Sequence, residues 1–414
     1  MQSQLTIAMT LPIDPTPMTT DFDHIVIGAG ISGLGAAHFS SRHGLRTLVL
    51  ESSERVGGCI NSHRFPELNG FWTEAGGHTC FNSYGNLLSI LDDLGLTHQV
   101  KPKSKVGYLL WKGGQHASIV SALHLWEAMR SIPKIFSIPK QGRSVADYYG
   151  DLLGRRNYQD LLRHAFQAVI CQPADDYPAE ALFRKKPRRK DVIKAFTFAE
   201  GLSAIPTAIA AQQGIEVRTG QQVDAIEPDG EGFRVKTLTG TFGCSHVTLA
   251  VPPDAATALM PTGFEAARAA IADIAIAEIE TLVLVFRVGE LGVKPIAGLI
   301  AVDDAFYSAV SRDFMQDPSY RGFAFHFRPG KLSEDAQLER ACLALGTTPR
   351  HVVAQARVHN RLPALRTGHT ERVRRLDAAL AGTRLGITGN WFLGVSIEDA
   401  LTRSRSESDR RFAA

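Results

Sequence analysis

Cysteine is scarce and unpatterned. Cys59, Cys80, Cys171, Cys244 and Cys342 form no CxxC pair and no Cys/His ligand spacing, which argues against a zinc site and leads us to expect five thiols in a reducing compartment. Basic residues are missing from the start of the chain. The first Lys or Arg is Arg42, so residues 1–20 lack the charged opening of a secretory signal and read as a loose tail before organised sequence begins at about Asp21. Long apolar runs are missing too. A membrane-spanning helix needs ~18 uninterrupted apolar residues, and the best window, 266–286, is broken by Arg268, Asp273, Glu278 and Glu280. A cytoplasmic protein is expected. The net charge is only +3 in 414 residues, so no general polyanion-attracting field exists and nucleic acid is not an expected partner. The fourteen histidines show no HExxH or paired spacing, no metal site is expected, and there is neither an internal repeat nor a low-complexity linker.

With 44% hydrophobic and 21% charged residues, the chain has ample material for a core and is long enough for two associated domains. The first legible unit is strand, glycine turn, helix. Phe22 to Ile27 is apolar, Gly28-Ala-Gly30-Ile31-Ser32-Gly33 follows at once, and a helical stretch runs to about His43. Gly28 permits the turn, Gly30 lets backbone approach a pyrophosphate, and Gly33 lets helix pack on strand. The N–H groups around Ile31 and Ser32 face the anion. A second apolar run, Thr47 to Leu50, ends in Glu51, where a carboxylate can accept from both ribose hydroxyls of an adenosine and disfavours a 2′-phosphate. These residues alone leave FAD and NAD both open. A nicotinamide-dependent reductase would need a second such fingerprint, and none follows.

The stretch after Glu51 is Ser52-Ser-Glu-Arg55-Val-Gly57-Gly58, followed by Thr73-Glu-Ala-Gly76-Gly77. This pattern resembles the FAD-binding amine oxidase superfamily, and the resemblance implies FAD, the extra glycines admitting its ribityl chain and ring. A second segment alternates like strands around Asp229-Gly230, and the resemblance places adenine against the backbone at Val223. A third, Leu385-Gly-Ile-Thr-Gly389-Asn390-Trp-Phe-Leu-Gly394-Val395-Ser396-Ile-Glu-Asp399, reads as a strand ending in glycine before a helix whose N–H groups can stabilise negative charge on reduced flavin. The implied fold class is α/β. A Rossmann-like FAD-binding domain is assembled from residues 21–80, 191–265 and 361–414. Residues 81–190 and 266–360 form an α+β substrate domain, a mixed sheet plus a helical part.

Within the superfamily the chain is most similar to protoporphyrinogen oxidase and its bacterial relatives, on the GN…GV…D ending at Gly389 to Asp399, the P…GH segment Pro363 to His369 and the helical region Tyr148 to Ala181. That resemblance implies hydride removal from a C–H next to nitrogen, with flavin rather than a protein group as hydride acceptor and oxygen or a quinone as possible final acceptor. It departs from the family where Tyr108 stands at a position that often carries a propionate-binding arginine, leaving Lys105 as a substitute, and where Leu365 stands at an aromatic position. A flavin amine oxidase or a desaturase of a secondary metabolite is the alternative, although the superfamily's flavin-proximal lysine would fall near Glu280 or Thr281. A non-catalytic flavoprotein is the reading from another class.

Two further features stand out. Arg184 to Lys190 holds six cations in seven positions, which suits a solvated loop, a lipid contact or substrate carboxylates. Ser121 to Lys140 carries an apolar stripe, including Leu125, Trp126, Met129, Ile132, Ile135 and Phe136, interrupted by Pro133 and Pro139, which suits core packing or a peripheral membrane contact.

Overall fold

Short apolar runs with no polar break are the mark of strands buried on both faces, and β1 (Phe22–Ile27) and β2 (Thr47–Leu50) are of this kind. In the computed structural model, which describes residues 21–131 and 138–413, they lie side by side and parallel, joined by the helix α1 (Ile31–Arg42). The tail read at 1–20 and the stripe residues Ile132, Ile135 and Phe136 fall outside the described residues.

β1 is the middle of a seven-stranded sheet. Beyond β2 lies Ile215–Arg218; on the other side is the long strand Gly240–Leu249, whose end pairs in parallel with Leu385–Ile387. The first half of Gly240–Leu249 instead carries two antiparallel strands, Gly232–Thr237 and Val223–Asp229. Three distant parts of the chain therefore share one sheet. The C-terminal helix Ile397–Phe412 locks the assembly against α1. A Cβ on Gly35 would lie 2.4 Å from Leu401 Cδ2, and Ser404 Oγ donates to the Ser32 carbonyl at 2.7 Å, so the two helices meet at near backbone contact. Truncating fully buried Leu401 to Ala would cost about 2–5 kcal/mol in such a tight seam.

A second seven-stranded sheet runs in the order Val352–Ala364, Ala275–Arg287, Tyr320–Phe327, Phe306–Ser311, Gly298–Val302, Tyr108–Lys112, Gln115–Ser118. Every pairing is antiparallel except that of Gly298–Val302 with Tyr108–Lys112. Alternation gives it two faces. Phe323, Phe325, Leu282, Leu284 and Phe306 form a dry core with the helix Glu334–Ala344. The opposite residues, Val283, Val285 and Ala324, press on Phe65, Phe71 and Ala75 of the first half.

Leu87, Leu88, Ile90 and Leu91 of the helix Gly85–Asp93 pack in one cluster with Val26, Ala29 and Leu34, because the helix offers a fully apolar face to α1 and the C-terminal helix. Glu398 caps its start, accepting from the backbone of Asn86 at 2.9 Å and of Leu87 at 3.1 Å. All five cysteines are free thiols, and among the described residues no helix is long and apolar enough to cross a membrane and no His/Cys/Asp/Glu group could hold a metal.

Candidate active site

The parallel strands deliver their C-terminal ends to one edge, and there the glycine segments converge. Gly28 has φ +101°, and a Cβ on it would meet the Ala250 carbonyl oxygen at 2.6 Å; one on Gly33 would meet the Gly28 oxygen at 1.9 Å. Internal packing alone therefore demands glycine at both positions. Gly30 is different: its φ is −66°, and a Cβ there would meet nothing closer than Gly58 Cα at 4.0 Å. No contact within the chain requires glycine at Gly30, and the missing side chain leaves the space in front of it open. That space is bounded by the start of α1, which has no side-chain cap and no acidic residue in its first turn, leaving N–H donors and the positive end of the helix dipole for an anion.

Glu51 closes one end of the cradle. Its Oε2 accepts from Ala29 N at 2.7 Å, and its Oε1 accepts from the backbone and hydroxyl of Ser53 at 2.9 and 2.7 Å. Ser52 is exposed beside it. The backbone of Gln221 donates to the Glu51 carbonyl at 2.8 Å, which brings the start of the Val223 strand to this end. Along the cradle, Gly57 N donates to Ala29 O at 2.8 Å, and Arg55 staples its own loop by donating to Gly58 O at 2.7 Å. Gly76 and Gly77 lie on the Cys59 carbonyl, where a Cβ at Gly76 would approach to 2.0 Å.

At the far end Gly77 faces Ile397, whose Cδ1 would stand 3.9 Å from a Cβ added there, so the floor runs up to the start of the C-terminal helix. Ser396 caps that helix, accepting from Asp399 N at 3.1 Å. Trp391 folds back over Gly389 and donates to Val251 O at 3.3 Å; Asn390 and Val395 are half-buried beside the buried Gly394. His369 of the P…GH segment donates to the Trp391 carbonyl at 2.5 Å, tying that segment to this end.

Of the side chains that cover the floor, Thr281 falls near the position read for the superfamily's flavin-proximal lysine, while His326, Ser308 and Asn360 were not singled out in the sequence. Where the inward face of the second sheet reaches Ala75 its apolar row gives way to Thr281, His326 and Ser308. Asn360 donates to Ala75 O at 3.2 Å and to Thr281 Oγ1 at 3.1 Å, and Thr281 Oγ1 lies 3.0 Å from His326 Nδ1. Burial lowers His326 to about 4, and burial with the nearby charge of Lys103 lowers His78 to about 3, so both rings are neutral at pH 7. Lys103 Nζ donates to His78 O at 2.8 Å and Thr79 Oγ1 at 2.6 Å and sits 3.6 Å over the Phe314 ring; burial pulls it down to about 8. Burial also raises Glu74 to about 7, although Leu202 N and Ser62 Oγ each donate to it at 2.8 Å. For Thr281, Ser308 and His326 the signal was present as polar interruptions at inward positions of otherwise apolar strands; His78 and Lys103 lie outside the strands and carried no such signal.

Lys105 and Tyr108 are both exposed, on the approach to and the start of the strand Tyr108–Lys112, and the described contacts do not join them to the floor. In the basic run, Lys186 pairs with Asp399 at 2.7 Å and Arg189 with Asp191 at 2.5 Å and with Asp92. Arg184, Lys185, Arg188 and Lys190 have no ion pair among the described residues.

A parallel sheet whose strand ends meet a glycine-lined, uncapped helix start is the architecture of a dinucleotide-binding protein. The chain belongs to the flavin containing amine oxidoreductase family, which it matches over residues 31–191 and 151–288. The chain spans little more than half the length of the first curated relatives it matches. It is 24% identical to an L-amino acid dehydrogenase of Synechocystis over 266 residues, covering 56% of this chain and 56% of that protein. To the protoporphyrinogen oxidase of Bos taurus it is 22% identical, covering 93% of this chain and 97% of that protein. A solved protein of Exiguobacterium sp. 255-15, provisionally named a protoporphyrinogen oxidase, superposes with a TM-score of 0.77 at 17% identity over 95% of this chain and 99% of that one.

Proposed function

We infer that this protein removes hydride from a C–H bond next to nitrogen in a small organic substrate, with a porphyrinogen-like ring as the favoured substrate. The observation that carries the flavin part is Gly30, a glycine that no neighbour in the chain requires, facing an uncapped helix start. FAD, when bound, supplies the two-electron acceptor. The chain's own work is then placement. Glu51 would hold the adenosine ribose, the α1 N–H groups the pyrophosphate, and the turns at Gly57-Gly58 and Gly76-Gly77 would line the ribityl chain and ring, with Val395 and Ser396 at the far end of the cradle. The second sheet excludes water from the floor. The favoured substrate is supported by the protoporphyrinogen oxidase of Bos taurus, matched over 93% of this chain, and Lys105 is the cation we propose for its propionates. A flavin amine oxidase is the competing reading.

The test is anaerobic. Purified protein should release about one yellow FAD per chain on acid precipitation, since no cysteine or histidine of the cradle occupies a flavinylation motif. Its flavin should then bleach with porphyrinogens. Bleaching by amines or cyclic imines alone would transfer the assignment to the amine oxidase reading.

A peripheral membrane contact is supported by one observation. Leu125, Trp126 and Met129 of the helix Leu125–Ser131 are 64%, 77% and 50% exposed, more apolar surface than a solvated helix usually shows. Loss of flotation with anionic vesicles in Trp126→Ser is the expected outcome; binding that persists would remove this reading.

A further inference from the structure

The first turn of the C-terminal helix carries two carboxylates, Glu398 and Asp399, and both are buried. A buried carboxylate left without a partner is strongly disfavoured. Glu398 is met by the helix Gly85–Asp93, whose Asn86 and Leu87 N–H groups donate to it, although burial still pushes its pKa up. Asp399 is met from the basic run. Its Oδ2 accepts from the Ser396 hydroxyl at 2.6 Å and its Oδ1 from Lys186 Nζ at 2.7 Å. Lys186 Nζ also donates to Ser396 Oγ at 3.4 Å, lies 5.5 Å from the centre of the Tyr84 ring, and opposes by its charge the rise at Glu398. One cation serves two buried acids.

The loop that carries Lys186 is anchored on both sides of it. Three residues later, Arg189 N donates to Asn82 O at 3 Å or less and Asn82 Nδ2 donates back to Arg189 O at 2.8 Å. Five residues earlier, Ala181 packs on the turn that precedes the helix: a Cβ on Gly394 would lie 2.6 Å from the Ala181 carbonyl oxygen and 2.8 Å from Asp399 Oδ2. The Gly394–Ser396 turn is therefore clamped between Ala181 and the carboxylate that Lys186 holds. Both partners of the pair are placed by backbone, so it escapes the entropic cost that makes exposed ion pairs weak. The same turn leads into Ile397, which faces Gly77 at the far end of the cradle.

We propose that Lys186 is a positioning residue for the cofactor: by neutralising Asp399 it holds the Gly394–Ser396 turn at the ring end of the cradle and keeps an unpaired carboxylate away from the reduced flavin. This rests on the FAD reading above. Two-electron reduction leaves the flavin ring anionic at neutral pH, so a bare Asp399 beside that end would disfavour the reduced form. One member of the run Arg184 to Lys190 thereby belongs to the site.

The experiment uses the FAD-loaded protein. Acid release first gives the flavin content, so that failure of the FAD reading shows separately, as no flavin in the unaltered protein. The reduction potential of the bound flavin is then measured by dye equilibration at pH 7. Lys186→Met should lower it by at least a tenfold change in the ratio of reduced to oxidised flavin, about 30 mV for a two-electron couple. Asp399→Asn, which can keep the Ser396 bond and leaves the lysine unpaired, should raise it. Lys186→Arg, and Lys186→Met combined with Asp399→Asn, should both restore it. The urea midpoint of the flavin-free protein is the control: a merely structural pair would lower the midpoint in Lys186→Met and leave the potential of the retained flavin unmoved, which would overturn the proposal. Shifts of the same sign in the two single variants, or a combined variant that falls as far as Lys186→Met, would overturn it as well. If Lys186→Met holds too little flavin to titrate, Asp399→Asn must still rise and the combined variant must still match the unaltered protein; failure of either is decisive against it.

Discussion

The two halves of the site are built on opposite rules. Along the cradle edge of the first sheet the chain contributes backbone, brought so close to itself that most side chains are absent; over the floor the second sheet contributes polar side chains bonded to one another. The difference teaches where substitution is fatal and where it is informative. In the cradle most glycines serve the chain itself, so changing them tests folding. On the second sheet a substitution in the polar row can alter its bonds while the core behind it, Phe323, Phe325 and Leu282, stays untouched.

The largest effect should separate two neighbouring glycines. Gly33→Ala puts a Cβ 1.9 Å from the Gly28 oxygen and should cost above about 3 kcal/mol, seen as loss of soluble protein or a much lower urea midpoint. Gly30→Ala, with 4.0 Å of room, should keep the midpoint of the flavin-free protein while lowering FAD affinity at least tenfold. Equal damage to stability from both would erase the distinction between internal packing and ligand space.

Glu51→Ala comes next. Losing charge-assisted acceptance from the ribose should weaken FAD by about 1–3 kcal/mol, measured as flavin lost on dialysis; unchanged occupancy would free Glu51 from that role. Its bonds from Ala29 and Ser53 also orient the turn, so a small fall in stability should accompany it.

On the second sheet the expected effect is a change of slope. His326 titrates at about 4 in the folded chain against an ordinary 6.5, so folding is favoured above 6.5 and that contribution is lost as pH falls toward 4. His78, at about 3, acts in the same direction. Glu74, raised to about 7, acts in the other: its contribution is complete below its ordinary 4.5 and is lost as pH rises through 7. Denaturation of His326→Gln should therefore show a shallower fall in stability between pH 6.5 and 4 than the unaltered protein. Identical slopes would mean that His326 is not held neutral by burial.

The smallest effect is expected in the basic run. Neutralising Arg188 and Lys190, which have no ion pair among the described residues, should change thermal stability by no more than about 0.5 kcal/mol, whereas Lys186→Met breaks a half-buried pair with Asp399 and should lower it visibly. Calorimetry of the two variants would decide, and equal effects would return the whole run to the status of a solvated loop.

Local pattern was enough for the first unit, because each of its steps is a matter of neighbours in sequence. An apolar run must be buried, a glycine triplet at GxGxxG spacing turns strand into helix, and a carboxylate after the next strand lands beside that turn; β1, α1, β2 and Glu51 stand accordingly. The three-segment sheet was legible only through the motifs that flank it, since nothing local says that Leu385–Ile387 will pair with Leu249. The helix Gly85–Asp93 shows the same limit: its amphipathic pattern says that it packs, not against what. Tertiary structure alone decided the rest. It assigned Lys186 and Arg189 to ion pairs, and it brought Asn360, Thr281 and His326 from three strands into one hydrogen-bonded row. Strand pairing that joins residues 45 and 79 positions apart is set by register, and register is the outcome of burying a whole face at once.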